Sequence, residues 1–134
     1  MNYGVALSRP FSGLSPYLIL RSHGRRKLGQ GIAYCIVLAH YFAELIERSQ
    51  SFALVAPVVG NVVLFEPSAL TDADPCASGV AADLQERGET FFSTTSRDGR
   101  IVLRACFVNH GTRPKHVDQA VRELEAWAER ASAM

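Results

Sequence analysis

Hydrophobic residues recur with helical spacing along the longest apolar part of the chain. Between Gly31 and Gln50 they return every three or four residues and occupy two flanks of the same segment, which predicts a helix that contacts neighbours on two sides. A second apolar stripe begins just after Pro114, a residue suited to a first helical turn, and predicts an amphipathic terminal helix. Residues 17–24 and 80–87 predict two shorter helices, each ended by a glycine.

Runs rich in β-forming residues predict two hairpins. Residues 52–56 and 61–65 flank a Pro-Val-Val-Gly linker, and a second pair of strands flanks Asp98 and Gly99, two residues that tolerate the positive φ of a type I′ turn. The small, acidic, proline-containing segment 68–78 predicts a surface loop. The resulting order of elements predicts an α+β fold in which helices cover one face of a four-stranded, mainly antiparallel sheet.

One arginine interrupts the apolar pattern of the last predicted strand. Counting outward from the turn pairs Ser93 with Arg104 and places both on a mixed face with Thr95, Val102 and Cys106, because side chains alternate between faces. The other face, predicted to be the core face, carries Phe92, Thr94, Ser96, Ile101, Leu103, Ala105 and Phe107. A guanidinium on the mixed face must reach water, a carboxylate or a ligand anion. Two interpretations stay open: Arg104 snorkels from a half-exposed sheet, or it binds an anion.

Composition and charge narrow the classes of protein. A chain of 134 residues that is 48% hydrophobic and 20% charged fits one globular domain with a real core. Its net charge of +1 gives no electrostatic field of the kind that marks binders of nucleic acids or anionic membranes. The chain has three cysteines without C-x-x-C spacing, no apolar run near the ~20 residues of a membrane helix, and no secretion signal. These features predict a cytoplasmic protein that contacts neither nucleic acid nor membrane.

The residue types that carry catalysis or bind metals lack the necessary spacing. The four histidines form no metal-ligand pattern with one another or with the cysteines, so no metal site is predicted. The two lysines, Lys27 and Lys115, lie in basic, polar stretches, unlike the desolvated lysine of a Schiff base. Residues 93–96 are serines and threonines in a strand, without the strand–turn–helix elbow of a nucleophilic serine. No catalytic residue is therefore predicted in this chain.

Several blocks of the chain follow one another in the order of a known family. These blocks are residues 8–24, 42–46, 52–57, 61–65 and 98–112. Together they resemble the C-terminal domain of group II pyridoxal-phosphate-dependent amino-acid decarboxylases, the family of the aromatic-amino-acid and glutamate decarboxylases. The similarity covers nearly the whole chain.

The resemblance implies a fold, an activity and a binding role. The fold would be the small C-terminal domain of a fold-type I enzyme over residues 30–134, with residues 1–29 as a linker and short helix that joins a missing large domain. The activity would be that of an L-amino-acid carboxy-lyase. Arg104 matches the arginine implicated in holding the substrate carboxylate in glutamate decarboxylases, and Ser93 opposite would help to orient it. Arg9 is similar to an arginine near the junction with the large domain, where its role would be positional.

The same resemblance implies that the chain works only within a larger enzyme. The family's cofactor lysine and its other pyridoxal phosphate contacts precede the part represented here, so the chain is expected to be inert alone. The expected partners are the missing N-terminal large domain or its separate chain, a second subunit in a homodimer, and an amino-acid substrate. The alternative is a stand-alone, non-catalytic α+β module for binding or dimerisation. One local departure is the positive charge of Arg113, Lys115 and His116 at a helix start, where the family usually carries acids.

Overall fold

The computed structural model describes residues 11–68, 74–88 and 90–132, with the side chains of residues 74–76 excepted. Within these residues the chain forms three helices and four strands. The helices are α1 (Leu14–Arg48), α2 (Asp74–Glu86) and α3 (Pro114–Ser132). The strands are β1 (Phe52–Leu54), β2 (Val62–Pro67), β3 (Ser93–Arg97) and β4 (Arg100–Cys106). The chain divides into two compact units, one ending at Gly31 and the other beginning at Ile32.

Helix α1 joins two helices that the sequence predicts separately. Gly24 lies inside it with non-helical angles, φ 75° and ψ 154°, in a region that glycine enters without a steric penalty. At the predicted end of the first helix, the structure therefore has a kink at Gly24. The helix resumes at once, because Arg25, Arg26 and Lys27 are strong helix formers. Its last helical residue is Arg48, two residues before the predicted end at Gln50.

The four strands form one antiparallel sheet in the order β1-β2-β4-β3. The predicted hairpin register is confirmed, with Ser93 opposite Arg104 and Arg97 opposite Arg100. Asp98 and Gly99 at the turn have φ values of 50° and 80°, as a type I′ turn requires. Strand β2 lies between β1 and β4, and it places Leu64 opposite Arg104. The predicted α+β fold with a four-stranded antiparallel sheet is thus confirmed.

Helix α2 corrects one sequence prediction. It begins at Asp74, inside the segment 68–78 that the sequence predicts as a loop. Proline suits the first turn of a helix, where its missing N–H has no partner to lose, and Pro75 occupies that turn. Asp74 and Pro75 therefore belong to the first turn of a helix and not to a loop. Val80 and Leu84 on this helix are fully buried.

Aromatic rings join helix α1 to one face of the sheet. The ring of Phe42 lies 5.3 Å from that of Phe65 and 6.0 Å from that of Phe92, measured between centroids. Phe65 and Leu103 have no exposed surface, and α3 adds the fully buried Leu124 to the same core. Helices therefore cover this face of the sheet, as predicted.

Hydrogen bonds from the end of α1 and the following turn reach helix α3. The Glu125 carboxylate accepts hydrogen bonds from the hydroxyls of Ser49 and Ser51, the latter at 2.7 Å. The Ser49 Oγ also accepts from the backbone N–H groups of Ser51 and Phe52, at 3.0 and 3.1 Å. One carboxylate thus fixes the turn that leads from α1 into β1.

A hydrogen bond between α1 and α3 changes the acidity of a tyrosine. The Tyr41 hydroxyl donates to Asp118 Oδ1 at 2.5 Å. This hydrogen bond raises the pKa of Tyr41 above its ordinary 10.0, and partial desolvation and the charge of Asp118 contribute less. A phenolate beside the carboxylate would lose the bond and meet a like charge, so the neutral phenol is favoured.

By length and composition alone, α1 is the one helix among the described residues that could cross a membrane. Its residues Leu38, Phe42 and Ile46 are buried in the core. Core packing thus accounts for these apolar residues of the C-terminal half of α1.

Candidate functional site

Arg104 lies on the face of the sheet opposite the helices, called the outer face below. Its neighbours along β4, Leu103 and Ala105, are buried on the helix side, whereas Arg104 itself is exposed. Ser93 of β3 and Leu64 of β2 lie directly opposite Arg104 on its two sides. Three strands therefore present their side chains in one row across the outer face.

Ser93 holds the Arg104 side chain in place. The Arg104 Nε–H donates to Ser93 Oγ at 3.0 Å, and the Ser93 hydroxyl lies 3.4 Å from the Arg104 backbone oxygen, to which it donates. The structure thus brings together the two residues that the family resemblance implies as a carboxylate site. Within residues 11–68, 74–88 and 90–132, no carboxylate lies within ion-pair distance of Arg104. The exposed position fits a snorkelling arginine, and its terminal nitrogens are also able to bind an anion.

Apolar residues flank Arg104 on the outer face. Val102, which precedes Arg104 on this face, has no exposed surface. Leu64 opposite Arg104 and Val62 opposite Cys106 are half-buried. The sequence predicts a mixed face here, and the structure shows that it contains a buried valine.

The predicted core face needs one correction. Phe92, Leu103 and Ala105 are buried as expected, but Thr94 and Ser96 are exposed. Strand β3 is at the edge of the sheet, so its far end has only one neighbouring strand. The alternation of side chains fixes which face a residue occupies, whereas burial also requires a helix above it.

The other residues named from the sequence do not join this site. Arg9 lies outside the described residues. Lys27 and Lys115 are both exposed, and neither has the desolvated surroundings that suit a Schiff-base lysine. The described residues therefore do not fit covalent binding of pyridoxal phosphate. Among them there is also no group of three histidine, cysteine or acidic side chains that could hold a metal ion.

The structure also contains a cleft that the sequence does not predict. It has a volume of about 320 Å³ and lies where the end of β4 meets the start of α3. Its lining includes Phe42, Phe92, Phe107, Cys106 and His116. These residues come from segments far apart in the sequence, so no local pattern could have indicated the cleft. Arg104 is not part of its lining.

Comparison with known proteins relates the chain to decarboxylases. No protein-family model matches it. The aromatic-L-amino-acid decarboxylase of Bacillus atrophaeus is 27% identical over 134 residues, which cover 96% of the chain and 28% of that protein. The phenylacetaldehyde synthase of Arabidopsis thaliana is 28% identical and covers 92% of the chain, over 26% of its own length. Tyrosine decarboxylase 2 of the same plant is also 28% identical, over 95% of the chain.

Solved structures show the same fold. The crystal structure of Oryza sativa TDC with PLP and tryptamine superposes with a TM-score of 0.81 at 26% identity, over 95% of this chain and 28% of that one. Catharanthus roseus tryptophan decarboxylase in complex with L-tryptophan shares the fold, with a TM-score of 0.77 at 22% identity over 98% of the chain. The resemblance to pyridoxal-phosphate-dependent amino-acid decarboxylases is therefore confirmed. The chain spans little more than a quarter of the length of these relatives.

Proposed function

We propose that the chain is the C-terminal part of a pyridoxal-phosphate-dependent L-amino-acid decarboxylase and that Arg104 binds the substrate carboxylate. The observation that carries this proposal is the Arg104 side chain itself. It is exposed, its Nε is held by Ser93 at 3.0 Å, and no described carboxylate neutralises it. The decarboxylases that match nearly the whole chain support an amino acid as the ligand.

The geometry suits a carboxylate better than a spherical anion. A guanidinium presents its N–H groups in a planar fork that matches the two oxygens of a carboxylate. Because Ser93 already accepts the Nε–H, the two terminal nitrogens remain for the ligand. Fixing Nε also lowers the conformational entropy that binding must remove from a long side chain. Ser93 is thus a positioning residue for Arg104.

The cofactor belongs to the part of the enzyme that this chain does not contain. Pyridoxal phosphate, when bound, supplies the electron sink for loss of the carboxylate. The residues described here do not fit its covalent site, since Lys27 and Lys115 are exposed. We infer that the chain is inactive alone and contributes carboxylate binding and contacts between domains or subunits.

Exposed apolar side chains near the start of the chain support a larger partner. Leu14, Tyr17, Leu18 and Leu20 are 44%, 57%, 53% and 49% exposed. A helical segment that is apolar on several sides is normally covered by protein. The proposed cover is the missing N-terminal large domain, on the same or a separate chain, within a cytoplasmic homodimer. Arg9 would lie near that junction.

Titration with an aromatic monocarboxylate tests the proposed site. Sodium 3-phenylpropanoate is added to the chain at constant ionic strength, and the Arg104 Nε–H and nearby amide signals are followed by NMR. We expect saturable shifts with a Kd on the order of tens of millimolar, as suits one exposed ion pair and some apolar contact. The neutral amide of the same acid is the ligand control.

The matched variants are Arg104→Gln and Arg97→Gln, which remove the same charge from the same hairpin. Arg97 is paired with Asp98 at 3.5 Å, away from Ser93. Binding should be lost in the first and kept in the second. Equal affinity of Arg104→Gln and the parent would contradict the proposal. A stoichiometric, borohydride-trappable adduct of pyridoxal phosphate on either lysine would contradict the inferred inactivity of the chain.

A further inference from the structure

Glu66 lies between two arginines on the outer face. The β2–β4 register pairs Leu64 with Arg104 and Phe65 with Leu103, and one further step places Glu66 opposite Val102. Arg100 and Arg104, two residues on either side of Val102, are then the diagonal neighbours of Glu66. Diagonal neighbours lie within reach of long side chains in an antiparallel sheet. Glu66 can therefore pair with either arginine.

The structure pairs Glu66 with Arg100. The Arg100 Nη1 lies 3.5 Å from Glu66 Oε1. Arg104 instead directs its Nε to Ser93 on the opposite strand, at 3.0 Å. Glu66 is the only acidic residue within strands β1 to β4. The one carboxylate of these strands thus pairs with Arg100 and not with Arg104.

We propose that Arg100 is a positioning residue that holds Glu66 and so keeps Arg104 available to a ligand carboxylate. This rests on the proposed function of Arg104. Without Arg100, Glu66 becomes an intramolecular competitor at a high effective concentration next to the binding guanidinium. Exposed ion pairs are individually weak, so the expected change in affinity is modest, about two- to fivefold.

Three variants test this role by titration with 3-phenylpropanoate. Arg100→Gln should weaken binding by about two- to fivefold, because Glu66 is released towards Arg104. Glu66→Gln should bind at least as tightly as the parent. The double variant should bind as tightly as Glu66→Gln, because no competitor remains once the acid is gone. Arg97→Gln, which loses the same charge and leaves the Arg100–Glu66 pair intact, should match the parent.

The double variant separates positioning from simple attraction. If Arg100 helped only through its own positive charge, the double variant would bind more weakly than Glu66→Gln, and the proposal would be wrong. Unchanged affinity in Arg100→Gln would overturn it as well. If Arg104→Gln bound like the parent, the proposed function would fail first. Dispersed amide spectra of all variants confirm that each is folded, as expected for substitutions at exposed or half-buried side chains.

Discussion

Replacing Phe65 with leucine tests whether the aromatic cluster fixes the sheet that carries Arg104. Phe65 has no exposed surface, and its ring lies 5.3, 6.0 and 5.4 Å from those of Phe42, Phe52 and Phe92, at interplanar angles of 71°, 65° and 78°. Each edge-to-face pair contributes about 0.5–1.5 kcal/mol beyond its buried area. Leucine keeps much of the apolar burial and forms none of these pairs.

The expected loss is about 2 kcal/mol of the free energy of unfolding. Three ring pairs set an upper range of about 1.5–4.5 kcal/mol, and repacking around leucine recovers part of it. Urea denaturation followed by circular dichroism measures the change. With an m-value of about 2 kcal/mol per M, the midpoint should fall by about 1 M at constant m.

Phe91→Leu is the matched control, since the Phe91 ring is 68% exposed. We expect a change within about 0.5 kcal/mol for this surface position. A Phe65→Leu loss as small as that of the control would refute the reasoning, because the ring pairs would then contribute nothing. Phe65 lies between Leu64 and Glu66 in β2, so its burial also sets which of its neighbours reach the outer face.

Three further outcomes follow from other contacts. The raised pKa of Tyr41 means that the folded chain holds this proton more tightly than the unfolded chain does. The stability from the Asp118 bond is therefore complete below about pH 10 and falls as the pH rises through the folded pKa. The denaturation midpoint of Tyr41→Phe should lack this alkaline decline, and an equal decline in both proteins would contradict the argument. Gly99→Ala should destabilise the chain by about 1 kcal/mol, since Gly99 has a φ of 80°, which a residue with a Cβ adopts only at a steric cost. Gly79→Ala, in helix α2 with open space around it, should stabilise by about 0.5–1 kcal/mol, and thermal melts that gave both alanines the same sign would contradict the backbone argument.

Local patterns predicted the parts of the fold that local interactions determine. Asp98 and Gly99 predicted the turn, and counting from it predicted the pairing of Ser93 with Arg104, which the structure confirms. A two-residue turn leaves one register, so sequence spacing was sufficient. The start of helix α2 at Asp74 was missed, because small acidic residues and proline are common both in loops and in first helical turns.

The sequence pattern could not predict contacts between segments that are distant along the chain. The pairing of β2 with β4 places Leu64 beside Arg104 and Glu66 within reach of Arg100, and no spacing within either strand indicates it. The cleft at the end of β4 is likewise formed by segments that are distant along the chain, and its lining includes Phe42, Phe92 and His116. The sequence therefore predicted the arginine of the candidate site and its serine. Glu66, which pairs with Arg100, became visible as a neighbour of the site only through the register of the sheet.

Locating the bound carboxylate tests the central claim most directly. Intermolecular nuclear Overhauser effects from the methylene protons of 3-phenylpropanoate identify the side chains that contact it. The account predicts effects to the Arg104 Hε and to the methyl groups of Leu64. Effects instead to Phe91 and His116, which line the cleft, with none to Arg104, would contradict it.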